Sequence, residues 1–277
     1  MIIDFHAHCF PDELAKKAIP ILEGKAGIKA WYDGTLAGLR RLMVDAGIDC
    51  TVIQPIATKP AQTRTINDWS ACIQHNSLQD DDIRGRIVAL GSIHPDYPGW
   101  KDELKRIKDL GLKGLKYHPD YQEFFVNEKR MFPVYEEIFK MDFILLFHAG
   151  IDIGLPEPCH CTPERLLNVL KVCPGGKIIA AHMGGFKCWD DVEKYLVGQD
   201  IYFDTSYSIG WMDDGQAKRI IENHGYEKVL FGTDAPWALQ KEEIDKLGKL
   251  GLDDSARNAI LGGNARKLLA DVLEDMV

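Results

Sequence analysis

The sequence predicts a closed (β/α)8 TIM barrel, eight parallel strands wrapped by helices. Two observations predict it. Short β-branched or aliphatic runs alternate with amphipathic stretches eight times, the pattern of a parallel sheet with helical crossovers. The length, 277 residues, suits a barrel of roughly 250. A third observation tells against the main alternative. An open doubly wound sheet would place a Gly-x-Gly-x-x-Gly turn after its first strand, and none stands there. No Pro-, Ser- or Gly-rich stretch divides the chain, so one domain over residues 1–277 is expected.

The strands are expected at Ile2–His6, Cys50–Gln54, Ile87–Ile93, Lys113–Tyr117, Phe143–Phe147, Lys177–Ala181, Ile201–Asp204 and Lys228–Phe231. In the first, a period of two puts Ile2, Asp4, His6 and His8 on one face and Ile3, Phe5 and Ala7 on the other. Helical periodicity marks Leu36–Ala46, Thr65–Asp80, Trp100–Leu110, Lys129–Lys140, Pro163–Val172, Trp189–Val197, Gly215–His224, Ala238–Leu250 and a closing Ser255–Leu273. Gly111, Gly225 and Gly251 stand where helices should end, and Pro163 suits a first turn after Thr162.

Composition narrows the partners. With 42 acidic and 33 basic residues the net charge is -9, and no basic stripe suggests nucleic acid or an anionic membrane. The longest apolar runs are strand-length, too short to span a bilayer. The N-terminus lacks a basic stretch followed by an apolar one, and the 7 cysteines are an odd number. Both point to reduced thiols in the cytoplasm. The expected partner is a small molecule, with a homodimer left open.

Active sites in such barrels lie at the C-terminal ends of the strands. Strand one ends His6-Ala7-His8, two imidazoles pointing one way. Strand five is wholly apolar, then delivers His148; strand six delivers His182; strand eight delivers Asp234. Closing the barrel brings these groups together. Three imidazoles and a carboxylate suit a borderline divalent cation, zinc first, with nickel, cobalt, manganese or iron as alternatives. Such an ion polarises a substrate oxygen and acidifies water, and Asp234 can then take the proton.

The stretches that carry these groups resemble a known family. Asp4-Phe5-His6-Ala7-His8, Leu115-Lys116-Tyr117-His118-Pro119, His148-Ala149-Gly150, Ala181-His182-Met183-Gly184-Gly185 and Gly232-Thr233-Asp234-Ala235-Pro236 look like the amidohydrolase superfamily. More narrowly they resemble the branch with aminocarboxymuconate semialdehyde decarboxylase and resorcylate-type decarboxylases, as does Ile260–Leu268. The resemblance runs in order from residue 4 to residue 268. It implies that His6, His8, His148 and Asp234 hold one metal, while His182 stays beside the metal's water without ligating. In other branches of the superfamily a strand-four lysine is carboxylated and bridges two metals, and a carboxylated Lys116 with His182 on a second metal is the alternative here. This branch is typically mononuclear, so Lys116 is expected as a cation for a substrate carboxylate or carbonyl.

The implied function is a metal-dependent hydrolase acting on a small amide, lactone or ester through a metal-activated water, with Asp234 and His182 catalytic. The alternative is non-oxidative, metal-dependent decarboxylation of an unsaturated or aromatic carboxylic acid. The chain is shorter than those decarboxylases and has few arginines near its strand ends, which places hydrolysis first.

The remaining candidates weigh less. His118 lies at the mouth before a proline and is a candidate for touching substrate; His94, also before a proline, reads as structural. His160 and Trp237 sit in loops after strands five and eight and are carried as substrate-binding residues with Lys116. Cys159-His160-Cys161 has too few convergent ligands for a thiolate zinc site. Asp4, read as lying on the His6 face, is expected to accept an imidazole N–H, and Asp204-Thr205-Ser206 to support the site from below.

Overall fold

The computed structural model describes residues 1–78 and 85–273. In chain order the elements are β1 (Ile3–Ala7), α1 (Asp12–Ala26), α2 (Leu36–Ala46), β2 (Cys50–Ile53), α3 (Thr63–Leu78), β3 (Arg86–Ala89), α4 (Trp100–Asp109) and β4 (Gly114–Tyr117). There follow α5 (Phe132–Lys140), β5 (Ile144–Phe147), α6 (Pro163–Val172), β6 (Lys177–Ala180), α7 (Trp189–Tyr195), β7 (Tyr202–Asp204), α8 (Asp214–His224), β8 (Val229–Leu230) and α9 (Gln240–Lys249). The chain ends in α10 (Asp254–Asn258), a π turn over Ala259–Gly263, α11 (Asn264–Leu268) and α12 (Ala270–Leu273). The predicted strands all form, with shifted ends. The predicted helix end at Asp80 lies outside the described residues.

Every strand pairs in parallel with its neighbour, in two runs, β1 to β3 and β4 to β8. Two seams join the runs. At one, Gly91 N–H donates to Gly114 O and Lys116 N–H to Gly91 O, each at 2.8 Å. At the other, Phe5 N–H donates to Phe231 O at 2.7 Å and His8 N–H to Ala235 O at 2.7 Å. The sheet is therefore a closed barrel, with no exposed edge.

Alternate strand positions separate into two apolar layers. Cys50, Val52, Val88, Ile144, Leu146, Ile179 and Leu230 fill the interior, and Ala265, Leu269 and Leu273 of the last helices join that cluster. Ile53, Ile87, Leu115, Tyr117, Leu145 and Phe147 pack outward with helix residues such as Leu39, Leu104 and Leu166. At the C-terminal strand ends the apolar interior gives way to polar side chains, which is where a site can form. Among the described residues no helix is long and apolar enough to cross a membrane.

Three departures from the sequence reading have physical causes. Helix α1 gives a weak periodic signal, because it buries only Ala15 and Ile19 and contains Pro20. The predicted helix Ser255–Leu273 is broken. A Cβ at Gly262 would stand 2.4 Å from Met1 O, so the chain there passes against the start of β1 through the π turn. The third departure concerns β1 itself. Asp4 pairs with Thr51 and Ala7 with Ile53, so three residues of β1 span what two span on β2. This bulge interrupts the period of two. Ile3 and Phe5 join the interior cluster, and Asp4 turns to the helix layer, where it accepts from Gln240 Nε2 at 2.8 Å. Asp4 thus does not share a face with His6, as strict alternation would require.

Candidate active site

The site is built around the seam between β1 and β8. His6 Nδ1 donates to Asp204 Oδ2 at 2.8 Å, and His8 Nδ1 donates to the carbonyl oxygen of Gln54 at 3.0 Å. Neither partner can donate, so both rings carry their proton on Nδ1 and present a bare Nε2. Those two lone pairs face Asp234 Oδ1, at 3.5 Å from His6 and 3.1 Å from His8. The rings stand at 68° to one another with centroids 5.2 Å apart, so their in-plane lone pairs can converge. Three acceptors facing one another call for a cation. Lys116, on β4, reaches one of them, with Nζ 3.3 Å from His6 Nε2. The donor set, two imidazole nitrogens and a carboxylate oxygen in a buried setting, fits a divalent transition metal.

Electrostatics agree with that assignment. Burial, reinforced by Lys116, pushes His6 down to about 3 against the pull of Asp204. Burial also works to raise Asp234, but the rings of His8, His6 and His182 around it hold it down at about 2. Asp204 is held well below the ordinary carboxylate range: His6 and Ser206 outweigh its burial. Lys116 is lowered by burial to about 8, with Asp204 and Asp234 opposing the fall. The seam therefore presents ionised carboxylates and a neutral His6, the protonation states that metal ligands need.

Backbone placement is unusual here. His182 and Asp234 have positive φ, 59° and 67°, a left-handed conformation costing about 1–2 kcal/mol for a residue with a Cβ. Asp234 is held in it by its N–H to His6 O at 2.7 Å. Asp4 buttresses the same turn, accepting from Thr233 N–H at 3.0 Å and Thr233 Oγ1 at 2.6 Å. The expectation that Asp4 accepts an imidazole N–H is therefore corrected: Asp204 does so, and Asp4 fixes the strand that carries Asp234. Ser206, next to Asp204, places Oγ 3.1 Å from His6 Nδ1 and 3.0 Å from His182 Nδ1.

His148 and His182 form a second pair just past the ends of β5 and β6. His182 Nδ1 donates to Ser206 O at 3.0 Å, so its Nε2 accepts from His148 Nδ1, also at 3.0 Å. His148 is thus not among the ligand atoms gathered at Asp234, where the sequence reading put it in one set with His6 and His8. Its Nε2 is buried without a hydrogen-bond partner. His118 stacks on His148, centroids 4.0 Å apart and planes 10° from parallel. His118 Nδ1 accepts from Tyr121 N–H at 3.3 Å, so its Nε2–H donates to Asp152 Oδ2 at 3.1 Å. His118, His148 and Asp152 lie close enough to suggest a metal group. Stacked rings cannot both aim in-plane lone pairs at one ion, so we read this cluster as a hydrogen-bonded pair, His118 and Asp152, packed against the His148 ring.

The other expected residues are spread over the mouth. His160 is tied to Asp120, Nδ1 to Oδ1 at 2.8 Å. His118–Asp152 and Asp120–His160 thus cross between the loops after β4 and β5, each loop giving one histidine and one aspartate. Trp237 lines a cleft of about 440 Å³ with Ile28, Trp31, Tyr207 and Trp211. Cys159 donates to Gly150 O at 2.9 Å, and neither it nor Cys161 joins a ligand cluster. The sequence reading missed Asp120, Asp152 and Gln54. The two aspartates had a signal: each is a carboxylate within four residues of a strand-end histidine.

Barrel and mouth together define a class, a (β/α)8-barrel enzyme with candidate metal-binding groups at the C-terminal ends of its strands. Residues 3–270 match the family described as Amidohydrolase. The chain belongs to the amidohydrolase family. Among solved structures it is similar to an uncharacterised TIM-barrel protein from Bordetella bronchiseptica, with a TM-score of 0.77 and 18% identity, covering 98% of this chain and 99% of that one. A 2,6-dihydroxybenzoate decarboxylase from Rhizobium matches with a TM-score of 0.70 and 17% identity over 97% and 98% of the two chains. A dihydroxybenzoic acid decarboxylase from a Polaromonas species, solved with manganese and 2-nitroresorcinol, gives a TM-score of 0.69 and 16% identity over 99% and 97%. At these identities the likeness speaks to the fold.

Proposed function

We propose that this protein is a metal-dependent hydrolase of a small amide, lactone or ester. The observation that carries the reading is the convergence of His6 Nε2, His8 Nε2 and Asp234 Oδ1, acceptors whose tautomers are fixed from behind. A divalent transition metal there, zinc first, would be held by His6, His8 and Asp234, with His148 or His182 on the adjoining side. When bound it supplies Lewis acidity, acidifying water and polarising a carbonyl oxygen. The chain's own residues do the rest. Asp234, ionised and beside both imidazoles, takes the proton from attacking water. His182 orients that water and passes a proton on towards the leaving group. Lys116 offers its ammonium to a developing oxyanion. His160 and Trp237 contact the substrate at the mouth.

A second reading, non-oxidative decarboxylation, has observations of its own. Lys116 is a buried cation beside Asp234 that suits a carboxylate, and Trp31, Tyr207, Trp211 and Trp237 wall an aromatic cleft, although neither Lys116 nor the metal-site residues line it. Two of the similar structures are decarboxylases of dihydroxybenzoic acids. The same assay tests both readings. Metal-loaded protein is offered a panel of amides, lactones, esters and aromatic acids. Hydrolysis without carbon dioxide supports the first reading; carbon dioxide release from an aromatic acid overturns it in favour of the second.

A further inference from the structure

A buried nitrogen lone pair without a partner is uncommon, because leaving it unsatisfied costs about 1–3 kcal/mol. His148 Nε2 is such an atom. Its state follows from its neighbours. The Ser206 carbonyl fixes the His182 proton on Nδ1, His182 Nε2 therefore accepts, and His148 must carry its own proton on Nδ1. That leaves Nε2 bare. If His148 instead gives Nδ1 to a metal ion, the neutral ring must carry its one proton on Nε2. A proton leaves Nδ1 and one joins Nε2, so the ring's charge is unchanged, but the bare atom becomes a buried donor that needs an acceptor.

Asp152 is the acceptor at hand. It stands four residues on from His148 in the same loop, and its ligand oxygen lies within 4.8 Å of a His148 ring nitrogen. Its carboxylate is held from two sides, by Gly154 N–H at 2.7 Å on Oδ1 and by His118 Nε2–H at 3.1 Å on Oδ2. Each carboxylate oxygen accepts more than one hydrogen bond, so capacity remains. His118 is itself anchored by Tyr121 N–H and stacks on the His148 ring. The tether and the ring it serves are thus packed together.

We propose that Asp152, oriented by His118, is the positioning residue for His148: it receives the Nε2–H of that imidazole when Nδ1 binds metal. This rests on the metal-dependent reading above and assigns the crossed loop contact a purpose that reading lacks. It places His118 behind the metal centre, where it acts through Asp152.

The test is metal affinity. Full-length protein is titrated with Zn2+ against a competing chelator, as wild type, Asp152→Ala and Asp152→Asn. Loss of an outer partner of a ligating histidine typically weakens affinity roughly 10- to 100-fold. That drop is expected for Asp152→Ala, with partial recovery in Asp152→Asn, which keeps an acceptor oxygen. Equal affinity of wild type and Asp152→Ala overturns the inference and leaves the metal reading intact. Failure of the wild type to bind Zn2+ removes both, and so is distinguishable. A second measurement needs no variant. Long-range proton–nitrogen NMR on zinc-loaded, histidine-labelled wild type should find the His148 proton on Nε2; a proton on Nδ1 overturns the proposal even if Asp152→Ala fails to fold.

Discussion

The mouth holds two close histidine pairs that differ in almost everything but residue type. His6 and His8 stand at 68°, each with Nδ1 tied back to an acceptor and Nε2 turned on Asp234. His118 and His148 lie at 10°, stacked, with their polar atoms directed to Asp152 and His182. The first arrangement can share an ion, and the second cannot. A histidine at a strand end is therefore only raw material. What decides its role is the acceptor behind Nδ1, and that acceptor comes from another strand: Asp204 of β7 for His6, Gln54 after β2 for His8.

The sharpest way to break this comparison is to cut into each pair separately. The double variant His6→Ala, His8→Ala should lose bound transition metal entirely by elemental analysis, while His118→Ala should keep the wild-type stoichiometry. Metal retained by the first variant would sink the assignment of the pair. A smaller effect is expected behind the ligands. Asp204→Leu removes the acceptor that fixes His6 and should weaken zinc binding roughly 10- to 100-fold in a chelator competition. The variant would sharpen the contrast, since no carboxylate fixes His8 in the same way.

The buttress of the seam should register in stability. Thr233→Val removes a buried hydrogen bond to Asp4 and leaves that carboxylate short of a donor. A cost of about 2 kcal/mol in urea unfolding is expected, and an unchanged midpoint would show that Asp4 does not hold the β8 turn. The smallest effect belongs to a histidine remote from the mouth. His224 closes α8, donating to Ile201 O at 2.8 Å and accepting from Gly198 N–H at 3.1 Å. Burial lowers it from 6.5 to about 4. The unfolded chain thus takes up this proton first as pH falls. The contribution is complete above about pH 6.5 and declines towards about pH 4. One unit below the unfolded value costs about 1.4 kcal/mol. His224→Gln should flatten that part of the stability–pH curve, and an unchanged slope would refute the assignment.

These contrasts also mark what the sequence made legible. The barrel was legible because each apolar run had strand length and a helical stretch behind it. The residues at its mouth were legible because His148 and His182 follow runs, Phe143–Phe147 and Lys177–Ala181, that have no other reason to stop on a polar group. The ring orientations of His8 and His182 were not legible, since the groups that set them, Gln54 O and Ser206 O, are backbone carbonyls indifferent to side-chain identity. The bulge in β1 was equally hidden. Asp4, Phe5 and His6 read as clean alternation, and only pairing with β2 reveals the additional residue. Helix α1 left little trace because so little of it is buried.

That additional residue has an effect on how the gene can change. Substitutions along β1 are local events, each confined to one side chain. Loss of the single Phe5 codon, between Asp4 and Ala7, is different in kind. It would restore regular pleating and force a choice: either the start of the strand rotates, driving Asp4 into the apolar interior, or the end rotates, turning both imidazoles away from Asp234. The reading frame of the protein would survive intact while the alignment of its chemistry with its core would not.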